Sequence, residues 1–134
     1  MRTNNAVLLA LAITTLSGCV AQQRAETAKR AQTELVGISK ADLLACAGAP
    51  VRSASSGDTE VMTYVGGGDS IIVGGGAAST AGGGVATVQR RYCEVSFVLR
   101  SGRVEKINYA GRTGGLVTGG EQCAFVVQNC VAAK

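Results

Sequence analysis

Tyr92-Cys93-Glu94-Val95-Ser96-Phe97-Val98-Leu99-Arg100 decides the fold. Its odd positions Cys93, Val95, Phe97 and Leu99 are apolar. Its even positions are polar, with Val98 the exception. A period of two marks a strand with one buried and one wet face, as in an antiparallel sheet backed on one side. Residues 103–109 supply the next strand. Read as a three-residue loop with Gly102 left-handed, Arg100-Ser101-Gly102 pairs odd positions with odd ones. Ile107 then faces Val95 and Tyr109 faces Cys93, both on the buried side. A two-residue loop would turn Ile107 and Tyr109 to the wet side. Upstream, residues 60–65 alternate, with Met62 and Tyr64 opposing Val61, Thr63 and Val65. They follow the turn residues Ser55-Ser56-Gly57-Asp58 and give a third strand.

The remaining apolar segments read as helices. Ser39 caps a start at Lys40-Ala41-Asp42, and Asp42 suits the positive helix end. Leu43, Leu44 and Ala47 are expected to face inward, with Cys46 beside them. Gly48 and Pro50 end that helix. Residues 121–133, with Phe125, Val126 and Val127, read as a terminal helix; a short strand is the competing assignment. Residues 111–120 form a Gly-Thr-rich crossing. Residues 21–34 carry good helix formers, no Gly or Pro, and a possible Glu26–Arg30 pair. A thin stripe of Ala21, Ala25, Ala28 and Leu35 makes this segment a helical spacer, with a disordered tether as the alternative. The expected class is α+β: two N-terminal helices packed on a three-stranded antiparallel sheet, plus a C-terminal helix.

Residues 66–87 interrupt the pattern with three glycine triplets spaced by eight. No Lys-Ser or Lys-Thr follows them, so they form no phosphate loop. Such dense glycine is entropically costly to order, and a long flexible hairpin loop is expected. Ile71-Ile72-Val73 is its apolar segment. It could serve as a sticky patch on a partner-binding flap or pair as an extra strand.

Leu16-Ser17-Gly18-Cys19 closes the apolar run of residues 6–16, behind a positive Met1-Arg2 start. The run has signal-peptide length and is too short for a permanent span. The pattern is that of a bacterial lipobox. It predicts cleavage before Cys19 and acylation of its thiol, with residues 1–18 as signal peptide, 19–35 as lipidated tether and 36–134 as the domain. Several acyl chains anchor firmly, since each buried CH₂ contributes about 0.8 kcal/mol. Val20 rather than Asp follows the cysteine. By resemblance to enterobacterial lipoproteins, that implies the periplasmic face of the outer membrane.

The chemistry left open is narrow. The chain has no His, which removes His-based triads and His-ligated metal. The net charge of +4 is scattered, and no nucleic-acid partner or cofactor is expected. Ser, Asp and Glu show no catalytic constellation, so no enzyme is expected. Four cysteines, Cys46, Cys93, Cys123 and Cys130, accompany Cys19. In an oxidising compartment they read as two disulfides rather than a zinc site, because no C-x-x-C pair occurs. A helical tail separates Cys123 from Cys130 by about 10 Å at about 1.5 Å per residue, too far to bond. That favours Cys93–Cys123 with Cys46–Cys130. A non-helical tail would permit Cys123–Cys130 and Cys46–Cys93.

Gly37-Ile38-Ser39, the short helix through Leu44, Gly48-Ala49-Pro50, Tyr64, Val95-x-Phe97 and Gly102-x-Val104 together resemble the SmpA/OmlA (BamE-like) lipoproteins. The resemblance spans residues 35–109, apart from the glycine block. It implies two helices on a three-stranded sheet. It also implies a scaffolding role in outer-membrane β-barrel assembly, with envelope proteins and lipid as partners. Met62 departs from the family's aromatic, and the glycine insert, the four cysteines and the C-terminal extension lie outside its motif. A similar fold occurs in proteins that inhibit β-lactamases, which makes a periplasmic protein-binding or inhibitor module the alternative.

Overall fold

The computed structural model describes residues 16–73 and 88–134. The apolar run before residue 16 and the glycine triplets at 74–76 and 82–84 lie outside the described residues. Helix α1 spans Leu16–Glu34 and α2 spans Lys40–Ala47. Strands β1 (Arg52–Ser56), β2 (Thr59–Val73), β3 (Val88–Arg100) and β4 (Arg103–Ala110) follow. A 3-10 turn at Glu121–Cys123 leads into α3, Ala124–Ala132. The strands form one antiparallel meander in the order β1-β2-β3-β4. The class is α+β, with four strands where three are expected.

The additional strand is β1. All five of its residues are exposed. It pairs with β2 from Arg52 opposite Thr63 to Ser56 opposite Thr59. An edge strand with no buried side chain needs no apolar alternation, and Arg-Ser-Ala-Ser-Ser has none. The turn lies at Gly57-Asp58, so Ser55 and Ser56 belong to the strand.

The β3–β4 connection corrects the expected loop. Arg100 pairs with Arg103, leaving only Ser101 and Gly102 in the turn. Both have positive φ, 49° and 76°, as a type I′ hairpin requires. The register then shifts: Leu99 pairs with Val104 and Val98 with Lys106, so Glu105 is the extra residue of a bulge. Phe97 therefore faces Ile107, and Val95 faces Tyr109. A tight turn alone would have put Ile107 on the wet side, and the bulge cancels that flip.

The buried sheet face carries Met62 and Tyr64, the odd residues Cys93 to Leu99, Val104 and Ile107. The rings of Tyr64 and Phe97 meet edge-on at 5.5 Å. Ala28, Ala31, Leu35, Leu43 and Val127 complete this single core from the helices. Thus α1 is a core helix, packed against α3 and the 3-10 turn. Its buried stripe is Ala25, Ala28, Ala31 and Leu35. Small side chains there let the helix approach its neighbours closely. On its outer face Arg30 pairs with Glu34 at 2.8 Å, in place of the expected Glu26.

In α2 the cap is as the sequence suggests: the Ser39 hydroxyl accepts from the Asp42 N–H at 3.1 Å and donates to its carboxylate at 2.6 Å. Gly48 ends the helix with φ of 79°. Leu43 is fully buried, with Cys46 and Ala47 three and four residues on. Leu44 is 37% exposed, not inward, because it lies one helical step round from that face.

The stretch beginning at Gly66 does not form a loop at once. Beyond Gly67 opposite Tyr92, the hairpin continues past an irregularity and pairs Ile71, Ile72 and Val73 with Arg90, Gln89 and Val88. The expected loop therefore gives way to strand at its leading end, over residues 66–73, and Ile71-Ile72-Val73 takes the paired option. Gly66 and Gly67 lie directly under the tail: a Cβ on Gly66 would sit 2.6 Å from Val126 Cγ2, and one on Gly67 2.2 Å from Gln122 Oε1.

Candidate functional site

Cys46 bonds to Cys130 and Cys93 to Cys123, with Cα separations of 4.9 and 5.0 Å. The tail is helical from Ala124, so each of its cysteines reaches a separate element. One bridge fixes the tail to the central strand β3 and the other to α2. The part-buried ion pair Arg91–Glu121, at 3.0 Å, adds a third attachment between β3 and the tail. The tail is thus held shut over the sheet at both of its ends.

Cys19 lies outside both bridges, exposed near the N-terminal end of α1. That end runs past the close of β4. The Tyr109 hydroxyl donates to the Ala28 carbonyl at 2.6 Å, and Ala28 is nine residues, about 13 Å at 1.5 Å per residue, from Cys19. Burial raises the Tyr109 pKa well above the ordinary phenol value. Tyr64 is raised too, by burial first and by Glu60 second, and donates to the Gly48 carbonyl at 3.1 Å.

Beside α1 the 111–120 crossing is tied down along its length. Tyr92 N–H reaches the Arg112 carbonyl at 3.1 Å, and Gln122 N–H the Thr113 carbonyl at 2.9 Å. Thr113 Oγ1 accepts from Gly120 N–H at 3.1 Å and Thr118 Oγ1 from Gly115 N–H at 3.0 Å. The Thr118 carbonyl accepts from Glu121 N–H at 3.1 Å. These bonds close a compact turn whose tip is Leu116-Val117. Leu116 is 106% and Val117 81% exposed, so neither belongs to the core. A groove of about 330 Å³ separates the crossing from α1, with Gln22, Glu26 and Lys29 on one wall and Thr113, Val117 and Gly119 on the other. Further round α1, the Arg24 guanidinium stacks over the half-exposed Phe125 ring at 4.8 Å.

Sequence reasoning passed over Leu116 and Val117. Two aliphatics inside a Gly-Thr segment carry no periodicity, and only their exposure sets them apart. The second cavity, about 580 Å³, borders the Cys46–Cys130 bridge with Asp42, Asn129 and Lys134. It brings together no nucleophile with a base. Among the described residues no group of three or more His, Cys, Asp or Glu side chains could hold a metal ion. Among the described residues no helix is long and apolar enough to cross a membrane.

No family model, curated protein or solved structure matches the chain.

Proposed function

We propose that the chain is a non-enzymatic lipoprotein, anchored through Cys19 to the periplasmic face of the outer membrane. It acts there as a structural or partner-binding subunit, a BamE-like accessory of β-barrel assembly. The observation that carries this reading is the division among the five cysteines. Four are consumed in bridges that close the core. Cys19 is held apart from them at the exposed end of α1, where the lipobox pattern wants an acyl acceptor. Two disulfides also suit an oxidising envelope compartment. The order of helix, capped short helix and antiparallel meander is compatible with the SmpA/OmlA resemblance, although a fold does not by itself define a function.

A second reading, a periplasmic protein-binding or inhibitor module, draws support from the other sheet face. Val61, Val65 and Val98 are partly or well exposed there, beside the Arg52–Glu94 pair at 2.8 Å. Crosslinking in intact envelopes, followed by identification of the attached proteins, separates the two. Recovery of barrel-assembly subunits is expected. Recovery of a soluble periplasmic enzyme instead would favour the second reading. Mass spectrometry of the membrane-purified chain should find an acylated Cys19 at its N-terminus, and an unmodified thiol there would end the anchor assignment.

A further inference from the structure

We infer that Leu116 and Val117 form a second, shallow contact with the phospholipid surface that carries the Cys19 anchor. The inference rests on the lipoprotein reading and adds to it an orientation for the whole domain.

Two observations converge. The tip is built rather than slack: four hydrogen bonds close the turn, a fifth fastens its base to β3, and the closed turn holds two neighbouring aliphatics in water. Scattered single apolar residues on a surface are ordinary, but an adjacent pair on a fastened tip has no packing role. The tip also lies at the anchor's end. Val117 shares a groove with Gln22, and Cys19 stands one turn before Gln22 on the same helix face. Val20, beside the anchor, is itself 48% exposed. The turns at Asp58 and Ser101, joined by the Ser101 N–H to Asp58 carbonyl bond, lie at the opposite end of the strands.

The occupant is therefore the phospholipid bilayer that holds the Cys19 anchor, with the domain lying over it rather than swinging on its first residues.

The chain contains no Trp, so a single introduced indole reports alone. Leu116→Trp and, as the far-end control, Asp58→Trp are placed in the membrane-purified chain. Each is incorporated into vesicles of phosphatidylethanolamine and phosphatidylglycerol with brominated acyl chains. The Leu116→Trp emission should shift to the blue and fall about twofold or more, while Asp58→Trp stays unquenched. Both unquenched, with Cys19 acylated and the chain floating with the vesicles, overturns the tip contact and leaves the anchor standing. Equal quenching of both overturns the orientation. A blue shift that grows with protein concentration in the absence of lipid assigns the tip to a second copy and overturns the proposal. An unacylated Cys19 ends the anchor reading instead, and the same quenching with added vesicles still decides the tip.

Discussion

The Tyr109 hydroxyl on β4 donates to the Ala28 carbonyl in the middle of α1, 81 residues away in sequence, at 2.6 Å. It is a side-chain clamp between the sheet and the helix that leads to the proposed anchor. A mid-helix carbonyl has a second lone pair to offer, so the helix gives up nothing.

Tyr109→Phe should therefore cost about 1 kcal/mol in urea unfolding. The clamp also carries a pH signature. Burial raises the folded-state pKa of Tyr109, so the folded state keeps its proton where the unfolded state loses it. The contribution is fully present below about pH 10, the ordinary phenol value, and is lost as pH rises beyond it. The melting temperature of the wild type should fall more steeply above about pH 10 than that of Tyr109→Phe. Parallel curves would assign the alkaline loss elsewhere.

Two ion pairs on the same strand should differ sharply in worth. Arg52–Glu94 crosses the open sheet face, with the Arg52 side chain 67% exposed. Arg52→Ala should cost no more than about 1 kcal/mol, since solvent screens such pairs. Arg91 serves Glu121, whose side chain is only 10% exposed. Removing Arg91 leaves that carboxylate, among the described residues, with Gln122 Nε2 at 3.5 Å as its partner. Arg91→Ala should cost about 3 kcal/mol, measured by denaturant midpoint at neutral pH. Equal losses for the two variants would contradict this account of the tail's attachment.

What the sequence made legible followed from strong side-chain patterns. The alternation at Tyr92 to Arg100 located the central strand and its buried face, and Ser39 located the cap of α2. The helical tail determined which cysteines could meet. β1 was illegible because Arg52 to Ser56 bury nothing and so leave no pattern. The buried surface of α1 was half legible. An alanine stripe reads as propensity alone, and Ala31 as a core residue emerges only once neighbours are packed against it. β4 was read on the correct face but with the wrong turn and with partners two residues off, Val95 and Cys93 in place of Phe97 and Val95, because a bulge at Glu105 has no residue signature. At the candidate site, Cys19 was conspicuous and Leu116-Val117 was not, since exposure depends on what the remaining chain leaves uncovered.

Two glycines of the crossing offer a matched steric test. A Cβ on Gly114 would lie 1.9 Å from the Thr118 carbonyl oxygen, a backbone atom that cannot swing away. Gly119, five residues on, has nothing within 4 Å of its would-be Cβ, and neither residue has positive φ. Gly114→Ala should destabilise by about 2 kcal/mol or more and expose the 115–118 turn to limited proteolysis. Gly119→Ala should stay within about 0.5 kcal/mol of wild type. If both are tolerated, the turn is looser than its hydrogen bonds indicate, and the exposed Leu116-Val117 tip loses its rigid mount.

The last prediction concerns the two bridges, separated by 30 residues for Cys93–Cys123 and by 84 for Cys46–Cys130. Non-reducing digestion should yield peptides joined 93 to 123 and 46 to 130, and none joined 123 to 130. Each bridge restricts the unfolded chain, the longer loop by about 1 kcal/mol more in the chain-entropy account. Replacing either pair by alanine should cost roughly 4 kcal/mol, a large share of the 5–15 kcal/mol typical of a whole domain. The two losses should not simply add, because both bridges fasten the same nine-residue helix and its 3-10 lead. Once one is gone, the other still holds the tail near the sheet, and Arg91–Glu121 closes its leading end. Loss of the second bridge should therefore release residues 121–134 as a unit, seen as collective amide exchange across α3 while β2 and β3 remain protected. Simultaneous loss of protection across β3 would instead make the tail part of one indivisible folding unit.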